Sequence, residues 1–232
     1  MSQTRRSPSS RPARDQSRRA RGSLSEEEIL EATKTMVERH GLQQLSMPAL
    51  AKQLSSGVTS IYWYFRSKDE LLDALTDRVT REMYRSLPPI GDGPWDDELV
   101  EYFVAFRQIL EDTPLYREIF AFRARGLFAR AAMAPAMLRR LEHGLDLLVR
   151  AGLTPDQAAD AFNACSNYTR GFVLLEHGLD DRDRPSLWDL DPDELPTLNK
   201  VSNLDKVMCL DDEQFRFGLR LLVRGLAHEF DL

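Results

Sequence analysis

The chain has 232 residues, 31 Lys and Arg against 37 Asp and Glu, a formal charge of −6 and 42% apolar residues. That length suits one or two domains with a sizeable buried core, and the composition excludes a fully disordered, collagen-like or disulfide-scaffold chain. No apolar run approaches the roughly 20 residues that span a bilayer, so no membrane partner is expected.

Residues 1–22 hold seven arginines (Arg5, Arg6, Arg11, Arg14, Arg18, Arg19 and Arg21) against the single acid Asp15, while residues 71–232 carry a net charge of −10. No apolar stretch follows the arginines, so this segment does not read as a secretory signal. It is Ser/Arg/Pro-rich, has almost nothing to bury and is expected to be disordered. A basic arm on an acidic body suits local contact with a polyanion; a solubilising tail is the other reading.

Order is predicted to begin at Ser25-Glu26-Glu27-Glu28, a capping box, followed by Ile29, Leu30, Thr33, Met36 and Val37 at helical spacing and a stop at His40-Gly41. A short helix reads from Met47 to Leu54, buried through Leu50, Ala51 and Leu54. The Ser55-Ser56-Gly57 turn follows, with Gly57 expected to permit the bend, then a second short helix through Ile61, Tyr62 and Phe65. Ser67-Lys68-Asp69-Glu70 reads as another capping box. It opens a long amphipathic helix through Leu71, Leu72, Leu75, Val79 and Met83, stopped by Pro88-Pro89.

Helical patterns continue over Asp96 to Asp112, Leu115 to Phe122 and Phe128 to Ala151, the last with Pro135 as a point of interruption. Thr154 is the expected N-cap of the next helix, with Pro155 at its first position and an end near Gly178. Residues 179–194 hold seven acids, two Arg and two Pro and read as a loop that continues to about Leu210. A final helix runs from Asp211 to about Glu229, with Phe215, Leu219, Leu222 and Leu226 spaced 4, 3 and 4. No sustained period-2 alternation and no internal repeat are present. The chain reads as all-α.

Two short helices joined by a three-residue turn, with one helix before and a long one after, form a helix-turn-helix module. Ile61 and Phe65 anchor its second helix, leaving Thr59, Ser60, Tyr62, Trp63 and Tyr64 to be shared between core and surface. The run from Ile61-Tyr62-Trp63-Tyr64-Phe65-Arg66-Ser67-Lys68 through Leu71-Leu72-Asp73-Ala74-Leu75 resembles the signature of the tetracycline-repressor (TetR) family. That resemblance covers about residues 23–83, with Gly41-Leu42, Leu50-Ala51 and Leu54. Phe217-Gly218-Leu219 to Gly225-Leu226 is similar, less specifically, to the close of that family's C-terminal domain.

The resemblance implies a disordered arm (1–22), a helix-turn-helix DNA-binding domain (23–83) and a helical-bundle domain for ligand binding and dimerisation (84–232). It places Ser46, Tyr62, Tyr64 and Lys68 at phosphate-contacting positions, which set register without reading sequence. Trp63 is divided between core and DNA face. There are departures: Ser55-Ser56 stands where the family has Gly-Val, Pro48 where some members place a base-reading Arg, and Gly57-Val58 where longer polar side chains read bases. Base readout then falls to Thr59, Ser60, Tyr64 and Val58, the last against a thymine methyl.

For the second domain, Phe103, Phe106, Tyr116, Phe120, Phe128, Met137, Phe162, Tyr168 and Phe172 are candidates to line an apolar effector pocket; an ordinary core gives the same pattern. Ala159, Asn163, Ser166, Arg170 and Val173 on one helix, and Phe215, Leu219, Leu222 and Leu226 on the last, are candidates for a dimer interface. His143 and His177 lie on separate helices with no carboxylate at ligand spacing, and Cys165 and Cys209 are far apart with no CxxC, so neither metal nor cofactor is expected. That cysteine usage fits a reducing cytoplasm. No Gly-rich phosphate loop, GxSxG elbow or HExxH is present, and no catalysis is expected. The expected function is a homodimeric repressor on a palindromic operator, released by a small hydrophobic or aromatic effector. The rival is an all-α ligand carrier or hydrophobe-modifying enzyme that keeps a helix-turn-helix-like corner.

Overall fold

The computed structural model describes residues 24–119, 135–178, 195–201 and 210–232. Among these every regular element is helical. The helices are α1 (Glu26–His40), α2 (Met47–Gln53), α3 (Val58–Tyr62), α4 (Lys68–Ser86), α5 (Trp95–Asp112), α6 (114–119), α7 (Pro135–Ala151), α8 (Pro155–Gly178) and α9 (Asp212–Glu229), with short 3-10 turns at Leu42–Gln44 and Leu198–Lys200. None of them is long and apolar enough to cross a membrane.

Local chemistry sets the helix starts. At α1, Ser25 Oγ accepts the Glu28 amide at 3.2 Å and Glu28 Oε2 accepts the Ser25 amide at 2.9 Å, the reciprocal box expected. At α8, Thr154 Oγ1 and Gln157 do the same. The second expected box, at α4, forms by half. Ser67 Oγ accepts the Glu70 amide at 3.1 Å, but Glu70 Oε2 takes the amide of Arg66 at 2.6 Å instead of that of Ser67. The chain turns sharply enough before Ser67 to bring the earlier N–H within reach.

Two apolar cores form. The first gathers Ile29, Val37, Leu50, Ala51, Ile61 and Phe65 with Leu71, Leu75 and Val79 of α4. The second gathers Met83, Tyr84 and Leu87 with side chains of α5, α7, α8 and α9. The 19 residues of α4, roughly 28 Å long at 1.5 Å per residue, thus belong to both. Leu115 and Ile119 of α6 are buried in the first core, and Tyr116 packs against both. The boundary expected at residue 83 is therefore bridged twice, by α4 and by α6.

Ion pairs tie α1 to α4. Arg78 reaches Glu27 at 2.8 Å, Glu31 at 2.6 Å and Glu82 at 3.0 Å, and Lys34 reaches Glu82 at 2.7 Å. Against the upward pull of burial, the hydrogen bonds from Lys34 and Arg78 hold the Glu82 carboxyl below its ordinary value.

Candidate nucleic-acid interface

The helix-turn-helix is built from α2, the 54–57 turn and α3. Ser46 caps α2, its Oγ accepting the Ala49 amide at 3.3 Å. Leu50 and the small Ala51 face inward and are fully buried. The bend is made by the Ser56 amide donating to Ala51 O at 3.0 Å and by Ser55, which takes the left-handed φ of 51°. Gly57, expected to permit the bend, has an ordinary φ of −76° and stands at the N-cap of α3 with no side chain to cap it. The strain falls on Ser55, whose short polar side chain tolerates it better than a branched one would.

Ile61, buried completely, pins α3 to the first core, and Phe65 follows it into the same core. The helix ends at Tyr62, earlier than Phe65. Trp63 is its C-cap and swings outward, 85% exposed, which removes it from the core. Thr59, Ser60 and Tyr62 are exposed beside it, Val58 is half-buried and Lys68 is half-buried at the first position of α4. Tyr64 is exposed, and its hydroxyl donates to the carbonyl of Leu24, where the described N-terminal chain begins. Lys52 at the end of α2 and Arg66 between α3 and α4 are also exposed, and their charge beside a helix-turn-helix is legible in the sequence.

The aromatic candidates of the second half form a packed cluster. Phe103, Phe106, Phe162 and Phe172 are buried, with ring centroids 5.1 Å apart for Phe103 and Phe162 and 5.2 Å apart for Phe172 and Phe215. Tyr168 stacks on Phe215 and donates to its carbonyl at 3.1 Å. Tyr116 and Met137 are half-buried. Phe120 and Phe128 lie outside the described residues.

The expected dimer set divides. Asn163 is exposed, and Ala159, Arg170, Leu222 and Leu226 are partly so. Ser166, Val173, Phe215 and Leu219 are buried against their own chain, which leaves them no surface for a second copy. The periodicity identified the apolar stripe but not which side of it faced inward. The large exposed apolar residues of α8 and α9 are Leu174, Leu175, Phe217 and Leu221.

One buried cation, Arg107, lies outside the expected site residues. Arg107 sits on the inward face of α5 among Phe103, Phe106 and Leu110, a break in the amphipathic pattern that could have flagged it. Its Nη2 meets Glu111 at 2.6 Å and Glu176 at 2.9 Å, its Nη1 meets Asp212 at 3.1 Å, and its guanidinium lies 5.3 and 5.0 Å from the ring centres of Phe172 and Phe215. Burial, and a hydrogen bond with the neighbouring Glu176 carboxyl, push the Glu111 carboxyl up to about 7. Burial pushes the Cys165 thiol up to about 12, so it is a packing residue without nucleophilic character. Burial and the nearby Arg117 lower the pKa of His177, while His143 is exposed on α7. No group of three metal-ligating side chains occurs among the described residues.

Residues 29–75 match the family described as bacterial regulatory proteins, tetR family, and residues 87–230 match the tetracyclin repressor-like C-terminal domain. An HTH-type transcriptional repressor of Mycobacterium tuberculosis is 36% identical over 163 residues, which is 68% of this chain and 60% of that protein. The chain thus spans less than two thirds of the length of this relative. The class E tetracycline repressor protein of Escherichia coli is 24% identical over 208 residues, 90% of this chain and 93% of its own. The fold is similar to that of the TetR family protein ActR of Streptomyces coelicolor in complex with actinorhodin. That match has a TM-score of 0.71 and 24% identity, covering 90% of this chain and 99% of that one.

Proposed function

The chain belongs to the tetR family of bacterial regulatory proteins, and on that premise we propose that it is a sequence-specific DNA-binding transcriptional regulator. It is a homodimeric repressor, acting in the cytoplasm, that leaves a palindromic operator when a small hydrophobic or aromatic effector binds the C-terminal half. It is not an enzyme. The observation that carries this reading is the outward face of α3. Thr59, Ser60 and Tyr62 on α3 and the 85%-exposed Trp63 that caps it are all turned to solvent on an element that Ile61 and Phe65 lock to the core. Large aromatic side chains held in water on a rigid element are the mark of a binding surface. In a major groove, the hydroxyls of Thr59 and Ser60 meet base edges, while Ser46, Tyr62, Tyr64 and Lys68 meet phosphates. The seven arginines of residues 1–22 would add phosphate contacts to the same duplex.

A second copy would cover the apolar face of α8 and α9. Phe217 is 60% and Leu221 52% exposed, and among the described residues no other part of the chain lies within 4 Å of where a Cβ would stand on Gly171 or Gly225. Flat, apolar and glycine-bearing helix faces suit close helix–helix approach. Pairing there would present two α3 helices to major grooves about 34–36 Å apart. An effector among the rings of α5 and α8 would displace α4, which both cores share, and ligand and DNA would then oppose each other by linkage.

Selection from a pool of random duplexes at near-physiological salt tests this reading. Enrichment of an inverted repeat with half-sites about one turn apart is the expected result. Featureless enrichment that vanishes as salt rises would overturn it and bring forward the ligand-carrier or enzyme reading.

A further inference from the structure

A cleft of about 810 Å3 opens between the C-terminal end of α4, the connection through Ile90 and Asp92, and the outer face of α7. None of the aromatic pocket candidates lines it. Arg139, His143, Asp146 and Arg150 recur along α7 at spacings of 4, 3 and 4, so they share one face. Arg85 faces them from α4 and Arg140 joins them at the base.

The charge of this cleft is unbalanced in a definite way. Its two carboxylates are both engaged by Arg150, whose Nε meets Asp146 at 3.0 Å and whose Nη1 meets Asp92 at 3.7 Å. Among the described residues no carboxylate pairs with Arg85, Arg139 or Arg140. Arg140 is held in place without one. Its Nη1 donates to Pro88 O at 2.7 Å, its Nε to Tyr84 O at 3.2 Å and its Nη2 to Leu87 O. These are carbonyls at and just beyond the C-terminal end of α4, where a cation is favoured. Three of the five guanidinium N–H groups are thereby used, and the remaining two belong to a fork whose orientation is already fixed. Three like charges brought together repel unless something compensates them. They gather here in the part of the chain that is net −10 overall, which gives the cleft a local excess of positive charge within an acidic body.

We propose that this cleft binds a compact multivalent oxyanion, a di- or tricarboxylate or a diphosphate, with Arg140 as the fixed donor and Arg85 and Arg139 closing on it from the two rims. Guanidinium forks match carboxylate and phosphate oxygens in pairs, which suits this chemistry better than lone ammonium groups would. The occupant neutralises the excess charge and braces the end of α4 against α7. The site is separate from the aromatic cluster and from the DNA face, and its existence does not depend on the regulator reading.

The test is calorimetric titration of the full chain with citrate and, separately, with inorganic pyrophosphate at about 0.1 M salt, where surface attraction beyond about 10 Å is screened. Saturable binding of one anion per chain, with Kd below about 1 mM, is expected for at least one probe. Which probe binds more tightly distinguishes a carboxylate from a phosphate ligand. Arg85 and Arg139 are exposed, so the R85Q/R139Q variant is expected to melt no lower than the parent without anion and to bind at least tenfold more weakly. Absence of saturation with both probes up to about 10 mM, or equal affinity in a variant that melts normally, would overturn the proposal.

Discussion

The carboxylate of Glu118, on α6, accepts the backbone N–H of Leu42 at 2.7 Å across 76 residues of chain. Leu42 follows Gly41, whose φ of 79° and ψ of 160° few side chains other than glycine adopt, and a Cβ on Gly41 would stand 3.2 Å from Glu118 Oε1. One turn at the end of α1 is therefore shaped to receive a carboxylate from the other half of the molecule. Glu118→Ala removes a charge-assisted bond and strands a part-buried amide, a loss of about 1–3 kcal/mol. Gly41→Ala is expected to cost a similar or larger amount, about 1–3 kcal/mol for the backbone conformation alone. Urea unfolding of both variants checks this; parent-like midpoints would show the contact to be incidental.

Trp63 and Ile61 are two residues apart and opposite in environment. Ile61→Ala is expected to destabilise by about 2–5 kcal/mol, because a fully buried side chain leaves a cavity. Trp63→Ala is expected to change stability by no more than about 0.5 kcal/mol while weakening operator binding at least tenfold, a change of about 1.4 kcal/mol. Denaturation and fluorescence anisotropy with the selected duplex separate the two. Unchanged DNA affinity in Trp63→Ala would remove it from the interface.

Phe217 and Leu221 stand one helical turn apart on the open face of α9. Replacing both with Glu is expected to leave the chain folded and to halve its sedimenting mass at micromolar concentration. A parent chain that sediments as a monomer, or a variant that stays dimeric, would place the self-association surface elsewhere or deny it.

Arg107 pairs with the mostly buried Glu111 and Glu176 and with the exposed Asp212, so Arg107→Met leaves the first two facing each other without a cation and is expected to cost up to about 3 kcal/mol. The pH dependence has a definite sign. Folded Glu111 keeps its proton up to about 7, whereas the unfolded chain releases it at the ordinary glutamate value, so the folded state binds more protons in between. Stability from this group is greatest below the unfolded value and is lost as pH rises to about 7. Melting temperatures followed between about pH 5 and 8 are expected to show a flatter profile for Glu111→Gln than for the parent across that window.

Deleting residues 1–22 is expected to weaken DNA binding and flatten its salt dependence, since each phosphate neutralised adds about 0.9 to the slope of log K against log salt. An unchanged slope would mean that the seven arginines do not touch the duplex.

Much of the molecule was decided within short stretches of sequence. The Ser25-Glu28 and Thr154-Gln157 boxes, the apolar periodicity of α1, α4 and α9 and the aromatic run at Tyr62-Trp63-Tyr64-Phe65 all act between residues one to four apart. They fix helix starts, inward faces and the helix-turn-helix corner before any long-range contact exists. The tertiary structure decided the rest. Trp63 faces water because α3 stops one residue before it, and Ser55 takes the strain of the bend that Gly57 was expected to bear. Phe215 and Leu219 went to their own core while Phe217 and Leu221 stayed outside, a choice that required α5 and α8 to occupy one side of α9. Arg107 meets Glu176 and Asp212 across 69 and 105 residues. Such separations leave no local signature, because the energy of a buried ion pair depends on which chains surround it and not on its neighbours in sequence.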